Sequence, residues 1–131
     1  MDSGHESARE RGLADWSVAL DEGIRLFNAR HFFACHEVLE DAWREEGGPL
    51  RGLYQGLIKV AVAFYHAERG NFEGAHKVLK SGLPQLRPFQ KSCTKISLNS
   101  LVPQLEEWLQ RFEMWQIWPE KIDLTEVPLI H

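Results

Sequence analysis

The sequence predicts an all-α fold: a compact five-helix bundle with an extended C-terminal tail packed along it. Apolar residues recur at three- and four-residue spacing in five segments, and Gly, Pro and Asn fall between those segments. No alternating run long enough to pair into a sheet is present. One segment also occurs twice. Phe32-Phe33-Ala34-Cys35-His36-Glu37-Val38-Leu39-Glu40 returns as Phe72-Glu73-Gly74-Ala75-His76-Lys77-Val78-Leu79-Lys80, with Phe, His, Val and Leu in register and the acids at 37 and 40 replaced by lysine.

A polar, mobile lead over residues 1–12 precedes a single helical domain over 13–131. Asp15 caps a first helix from 15 to 29, whose apolar face is Trp16, Leu20, Gly23, Ile24 and Phe27. The second helix runs from 31 to 46 with Phe32, His36, Leu39 and Trp43 inward, and Gly47-Gly48-Pro49 ends it. Pro49 suits the first turn of a third helix that continues to Arg69. Leu50, Leu53, Tyr54, Leu57, Ala61 and Phe64 make one broad face of it, so it is the central helix. Gln55, Lys59 and His66 share the other side with Val62 and form a polar seam. Gly70 and Asn71 separate it from a fourth helix with the stripe Phe72, His76, Leu79, Leu83 and Leu86, ended by Pro88. Residues 90–99 read as a loop. The fifth helix covers 99–112 with Leu101, Leu105, Trp108, Leu109 and Phe112 inward and Pro103 in its first turn. In the tail, Trp115, Trp118, Ile122, Leu124 and Ile130 are expected to pack on the bundle.

Size and charge exclude several functions. At 131 residues the chain holds one domain, and 44% hydrophobic residues suffice for its core. The net charge of −4 with no basic run argues against a nucleic-acid groove, which must neutralise many phosphates. The most apolar stretch, Leu57 to Tyr65, is too short to span a membrane and contains Lys59. Cys35 and Cys93 lie far apart in unlike settings and no signal peptide precedes them, so reduced thiols and a cytoplasmic location are expected.

The chain resembles domain-of-unknown-function family 309, small helical proteins, over residues 20–86. The resemblance rests on Phe27-Asn28, on Phe33-x-x-His36-Glu37-x-x-Glu40-x-x-Trp43 and on Tyr54-Gln55-Gly56-Leu57-Ile58. It continues through Ala61 to His66 and Arg69-Gly70-Asn71-x-x-Gly74-Ala75. It implies a compact five-helix fold and no established activity. The forty-residue self-match also resembles tetratricopeptide-type helical hairpins, which repeat about every 34 residues. Two such hairpins leave apolar ends uncovered, so the remaining helices and the tail close the globule, or a second subunit does.

The candidate site follows from the first copy of the repeat. On a helical wheel Phe32, His36, Leu39 and Trp43 fall within about 60° of one another, which puts His36 in the apolar stripe. Glu40 lies about 40° further round and also points inward, whereas Glu37 is displaced about 100° and sits at the rim. An inward carboxylate needs a partner. A polar cluster of His36, Glu40, Gln55, Lys59 and His66 between the second and third helices is therefore expected.

Two functions fit such a cluster. In the first, a hydrogen-bond network sets helix register and the domain is a protein-interaction or assembly module, with a homodimer or another protein as partner. In the second, His36, Glu40 and His66 hold a divalent metal, Zn or a first-row transition metal, with Glu37 as general base in a metal-assisted hydrolysis. The order His-Glu-x-x-Glu departs from His-Glu-x-x-His of zincins and from the paired Glu-x-x-His of di-iron bundles. His76 stands at the equivalent place without acids, so a histidine there also serves structure alone.

Overall fold

The structure, a computed structural model, describes residues 18–93 and 95–131. The lead over 1–12 and the capping and apolar contacts expected of Asp15 and Trp16 lie outside the described residues. Within them the chain is all-helical, with no strand. Helix α1 covers 18–28, α2 Phe32–Glu45, α3 Arg51–Glu68, α4 Phe72–Leu86 and α5 Leu98–Trp115. Short 3-10 turns follow at Arg87–Phe89 and Leu124–Glu126.

The two helical hairpins of the repeat close in the same way. After α1, Arg30 takes a left-handed φ of 67°, its amide donates to Phe27 O, and the His31 amide donates to Leu26 O. After α3, Gly70 takes φ 78°, its amide donates to Ala67 O, and the Asn71 amide donates to His66 O. Both are paired-carbonyl stops that use a left-handed residue. Glycine adopts that conformation freely, whereas an arginine loses roughly 1–2 kcal/mol there. Arg30 offsets the loss with its side chain: the guanidinium donates to Val127 O at 2.6 Å and Pro128 O at 3.3 Å.

The same region anchors the tail. Asn28 Nδ2 donates to Ile130 O at 2.9 Å, the Ile130 amide donates back to Asn28 Oδ1 at 2.8 Å, and the Ser97 amide donates to His131 O at 2.7 Å. Ile122, Val127 and Ile130 are buried as a result. Ile122 and Ile130 meet the expectation for the tail, Trp115 and Leu124 are half-buried, and Trp118 departs from it by standing in solvent.

Helix α3 packs on α2 and on α4, and α4 packs on α5. Its central place explains why it is apolar around most of its circumference, with Leu53, Tyr54, Leu57, Val60, Ala61, Ala63, Phe64 and Ala67 buried. Phe64 is the hub. Its ring centroid lies 5.9 Å from Phe27, 5.8 Å from Phe32, 5.4 Å from Trp108 and 5.6 Å from Phe112, mostly edge to face. Small residues set the α3–α4 spacing: a Cβ on Gly82 would lie 2.9 Å from Lys59 Cβ and 3.4 Å from Gly56 O. Pro103 falls in the second turn of α5, one turn later than its expected place, where it removes the hydrogen bond to the Asn99 carbonyl and crowds it.

Truncating the hub should test this account. Phe64→Ala is expected to lower the unfolding free energy by about 3–5 kcal/mol, read from chemical denaturation; a loss under about 1.5 kcal/mol would mean that the aromatic cluster is not central.

Candidate functional site

The repeat is reproduced in burial as well as in sequence. Residues 31–39 and 71–79 run through the same order of exposed, half-buried and buried positions. In both copies the expected Phe and Leu positions are buried, but a small residue takes the buried place expected of the histidine. Buried over these stretches are Phe32, Cys35 and Leu39 in α2, and Phe72, Ala75 and Leu79 in α4, while His36 and His76 are half-buried. The reason is the small residues. Counting Cys35 and Ala42 with the apolar set turns its centre so that His36 lies about 70° and Glu40 about 110° away. The inward placement of His36 and Glu40 is thus corrected: their side chains are 24% and 32% exposed, and no polar or charged residue among those described is fully buried.

On that flank the two form a surface ladder. His36 Nε2 lies 2.8 Å from Glu40 Oε2, and His36 Nδ1 lies 3.3 Å from Phe33 O. Arg44 donates to Glu40 Oε1 at 2.9 Å and to Asp41 Oδ1 at 3.0 Å. The carboxylate of Glu40 therefore finds its partners one turn away on its own helix, and Glu37 is exposed.

The polar seam of α3 faces elsewhere. Gln85 Nε2 of α4 donates to Gln55 Oε1 at 2.7 Å, the Lys59 stem lies against Gly82, and His66 Nδ1 is 3.4 Å from Asn71 Nδ2. Asn71 in turn caps α4 by accepting from the Gly74 amide at 3.0 Å. The recorded contacts of the five residues fall into two sets. His36 and Glu40 sit on the α2 surface, whereas Gln55, Lys59 and His66 serve the α3–α4 contact. Among the described residues no three His, Cys, Asp or Glu side chains are gathered to hold a metal ion.

Two further surface features are apolar. Phe33 is 52% exposed, with its ring 5.3 Å from both His36 and Tyr65, and Arg69 lies 5.4 Å over the Tyr65 ring. At the end of α5, Met114, Ile117 and Trp118 are 60%, 72% and 72% exposed. Ile117 and Trp118 stand in the turn just after α5, both amides donating to Met114 O, and the i, i+3, i+4 spacing of the three is legible in the sequence. Trp115 turns the other way, 5.2 Å from Phe72 and 6.0 Å from Trp108. Beside it opens a cleft of about 570 Å3, lined by Ala67, Phe72, Pro119, Ile122 and Leu124 with Glu68, Glu120 and Lys121 around them.

Burial shapes the titration of four groups, lowering the Arg30 guanidinium and raising three acids. The Cys35 thiol is pushed up from an ordinary 9.0 to about 12 by desolvation, which makes it a packing group rather than a nucleophile. Tyr54 is raised by desolvation and then by the Glu46 carboxylate. Glu68 is raised chiefly by desolvation.

Residues 20–78 match the family model of a domain of unknown function, DUF309. The resemblance drawn from the motifs thus holds from α1 to the middle of α4. Over 81 residues the chain is 31% identical to the uncharacterized protein YpuF of Bacillus subtilis (strain 168), covering 61% of this chain and 47% of the relative. Over 102 residues it is 28% identical to an uncharacterized protein of Aquifex aeolicus (strain VF5), covering 75% of this chain and 30% of the relative. The chain spans less than half the length of each. No solved structure matches.

Two outcomes are expected. Because the folded state keeps the Cys35 and Tyr54 protons that the unfolded chain gives up, stability should be full below pH 9.0 and fall as pH rises toward about 12; alkaline denaturation with thiol titration checks this, Cys93 reacting before Cys35. His36→Ala should cost less than about 1 kcal/mol, as for exposed ion pairs; a loss of several kcal/mol would restore a structural role to the ladder.

Proposed function

We propose that this domain is a protein-interaction module, with the apolar end of α5 and the neighbouring cleft as its contact surface. The observation that carries this reading is the exposure of Met114, Ile117 and Trp118 together. Val18, Phe33 and Leu129 are also exposed, but Met114, Ile117 and Trp118 fall within five residues of one another and are exposed together. Covering the three side chains would release on the order of 5 kcal/mol. Met and Trp are also the residue types that enrich interface centres.

The His36–Glu40–Arg44 ladder has a lesser place in this reading. It supports α2 from outside and leaves a mixed-charge surface beside Phe33 and Tyr65. A cytoplasmic setting fits the two cysteines, both free thiols. Among the described residues, no helix is long and apolar enough to cross a membrane.

A photo-crosslinking residue in place of Trp118 should give discrete adducts in cells. These should be lost when Met114 and Ile117 are changed to serine at unchanged melting temperature. If labelling at 118 is no more discrete than at the exposed helix position Gln110, the reading is wrong.

A further inference from the structure

We infer that the partner of this surface is a basic, amphipathic segment of another protein, which seats an apolar side chain in the cleft and sets Lys or Arg against Glu68 and Glu120. The inference rests on the interaction reading above and names the chemistry of its partner.

The cleft supplies the apolar half of the contact. Ala67, Phe72, Pro119, Ile122 and Leu124 line it, and its volume of about 570 Å3 lies within the roughly 300–1,000 Å3 of sites that enclose whole ligands. Charge selects what lies beside the seated side chain. Glu68 and Glu120 stand at the rim against one cation, Lys121. Arg69 is no part of the cleft and lies 5.4 Å over the Tyr65 ring instead. Asp123 accepts from Thr125 and Glu126 pairs with Arg111, but among the described residues neither Glu68 nor Glu120 has an ion-pair partner. Desolvation raises the Glu68 carboxyl by more than Arg69 and His31 lower it, so its charge is under-compensated and gains from an added cation.

The acidity extends past the rim. Residues 113–126 hold Glu113, Glu120, Asp123 and Glu126 against Lys121 alone, which accounts for most of the chain's net charge of −4. Residues 87–105, by contrast, carry three bases and no acid. The acidic field thus belongs to this stretch rather than to the whole surface, and Met114, Ile117 and Trp118 are exposed within it. Its sign disfavours the other occupants of an apolar patch: anionic lipid, nucleic acid and a second acidic rim are all repelled. A basic segment is attracted. Amphipathic helices commonly dock in this way, with apolar anchors in a groove and charge at its edge. Such a segment covers less area than a globular partner, so the contact is transient and its strength depends on salt.

The test is fluorescence anisotropy of a short labelled amphipathic peptide of Leu and Lys with the purified full chain at low salt. It should bind at least about 10-fold more tightly than a peptide of the same pattern with Glu for Lys. Glu68→Gln and Glu120→Gln together should weaken its binding by about 10-fold. The melting temperature should not change, because both side chains are exposed. Glu45→Gln with Glu107→Gln, exposed acids that do not line the cleft, should leave binding as it was. Lys and Glu peptides that bind equally overturn the inference, as does a cleft variant that binds as well as this control. Crosslinking at 118, with the joined peptides sequenced, separates the two levels. A discrete adduct to a Lys- or Arg-rich segment of another protein supports the basic partner. One to a neutral or acidic segment, or to a second copy of this chain, overturns it while leaving the interaction reading standing, and no discrete adduct overturns both.

Discussion

The structure depends on the packing of aromatic rings around Phe64. Phe27 from α1, Phe32 from α2, and Trp108 and Phe112 from α5 all lie within 6 Å of it, centroid to centroid. Such contacts add directional preference to the area they bury, so they fix helix rotation as well as distance. With α3 pinned at the centre, both of its flanks are occupied, by α2 on one side and α4 on the other. Its polar flank meets α4 and the turn before it, where Gln55 accepts from Gln85 and His66 lies beside Asn71, the cap of α4.

A second constraint ties the ends of the domain together. The turn after α1 holds an arginine in a conformation that favours glycine, and glycine stands at the corresponding place after α3. The difference is the tail. Arg30 and Asn28 reach over to the carbonyls and amide of residues 127–130, so local strain in one turn is offset by hydrogen bonds to a distant segment. The second hairpin has no such duty and keeps the relaxed residue.

These constraints also shape what the surface can do. Of the acids that distinguish the first copy of the repeat, Glu40 pairs with His36 and Arg44 along α2, and Glu37 is exposed. Pairs near the surface, held within one helix, contribute little to stability. The unsatisfied chemistry is apolar instead. It lies at the end of α5, where the inner side of the helix is used up by Trp108, Phe112 and Trp115, and Met114, Ile117 and Trp118 are left outside.

Helical periodicity, the Gly, Pro and Asn stops and the forty-residue repeat determined the all-α class, the order of the helices and the central place of α3. They could do so because these signals are local: backbone hydrogen bonding and the 3.6-residue period act within one segment. The repeat carried further than expected, since both copies share one burial pattern and one kind of turn. The tertiary structure alone decided which way the half-polar flanks face. A wheel fixes angles within a helix but not the azimuth of its neighbour. The contribution of Cys35 and Ala42 to the α2 stripe, the turning of Gln55, Lys59 and His66 toward α4, and the exposure of Trp118 all depend on where the other helices stand.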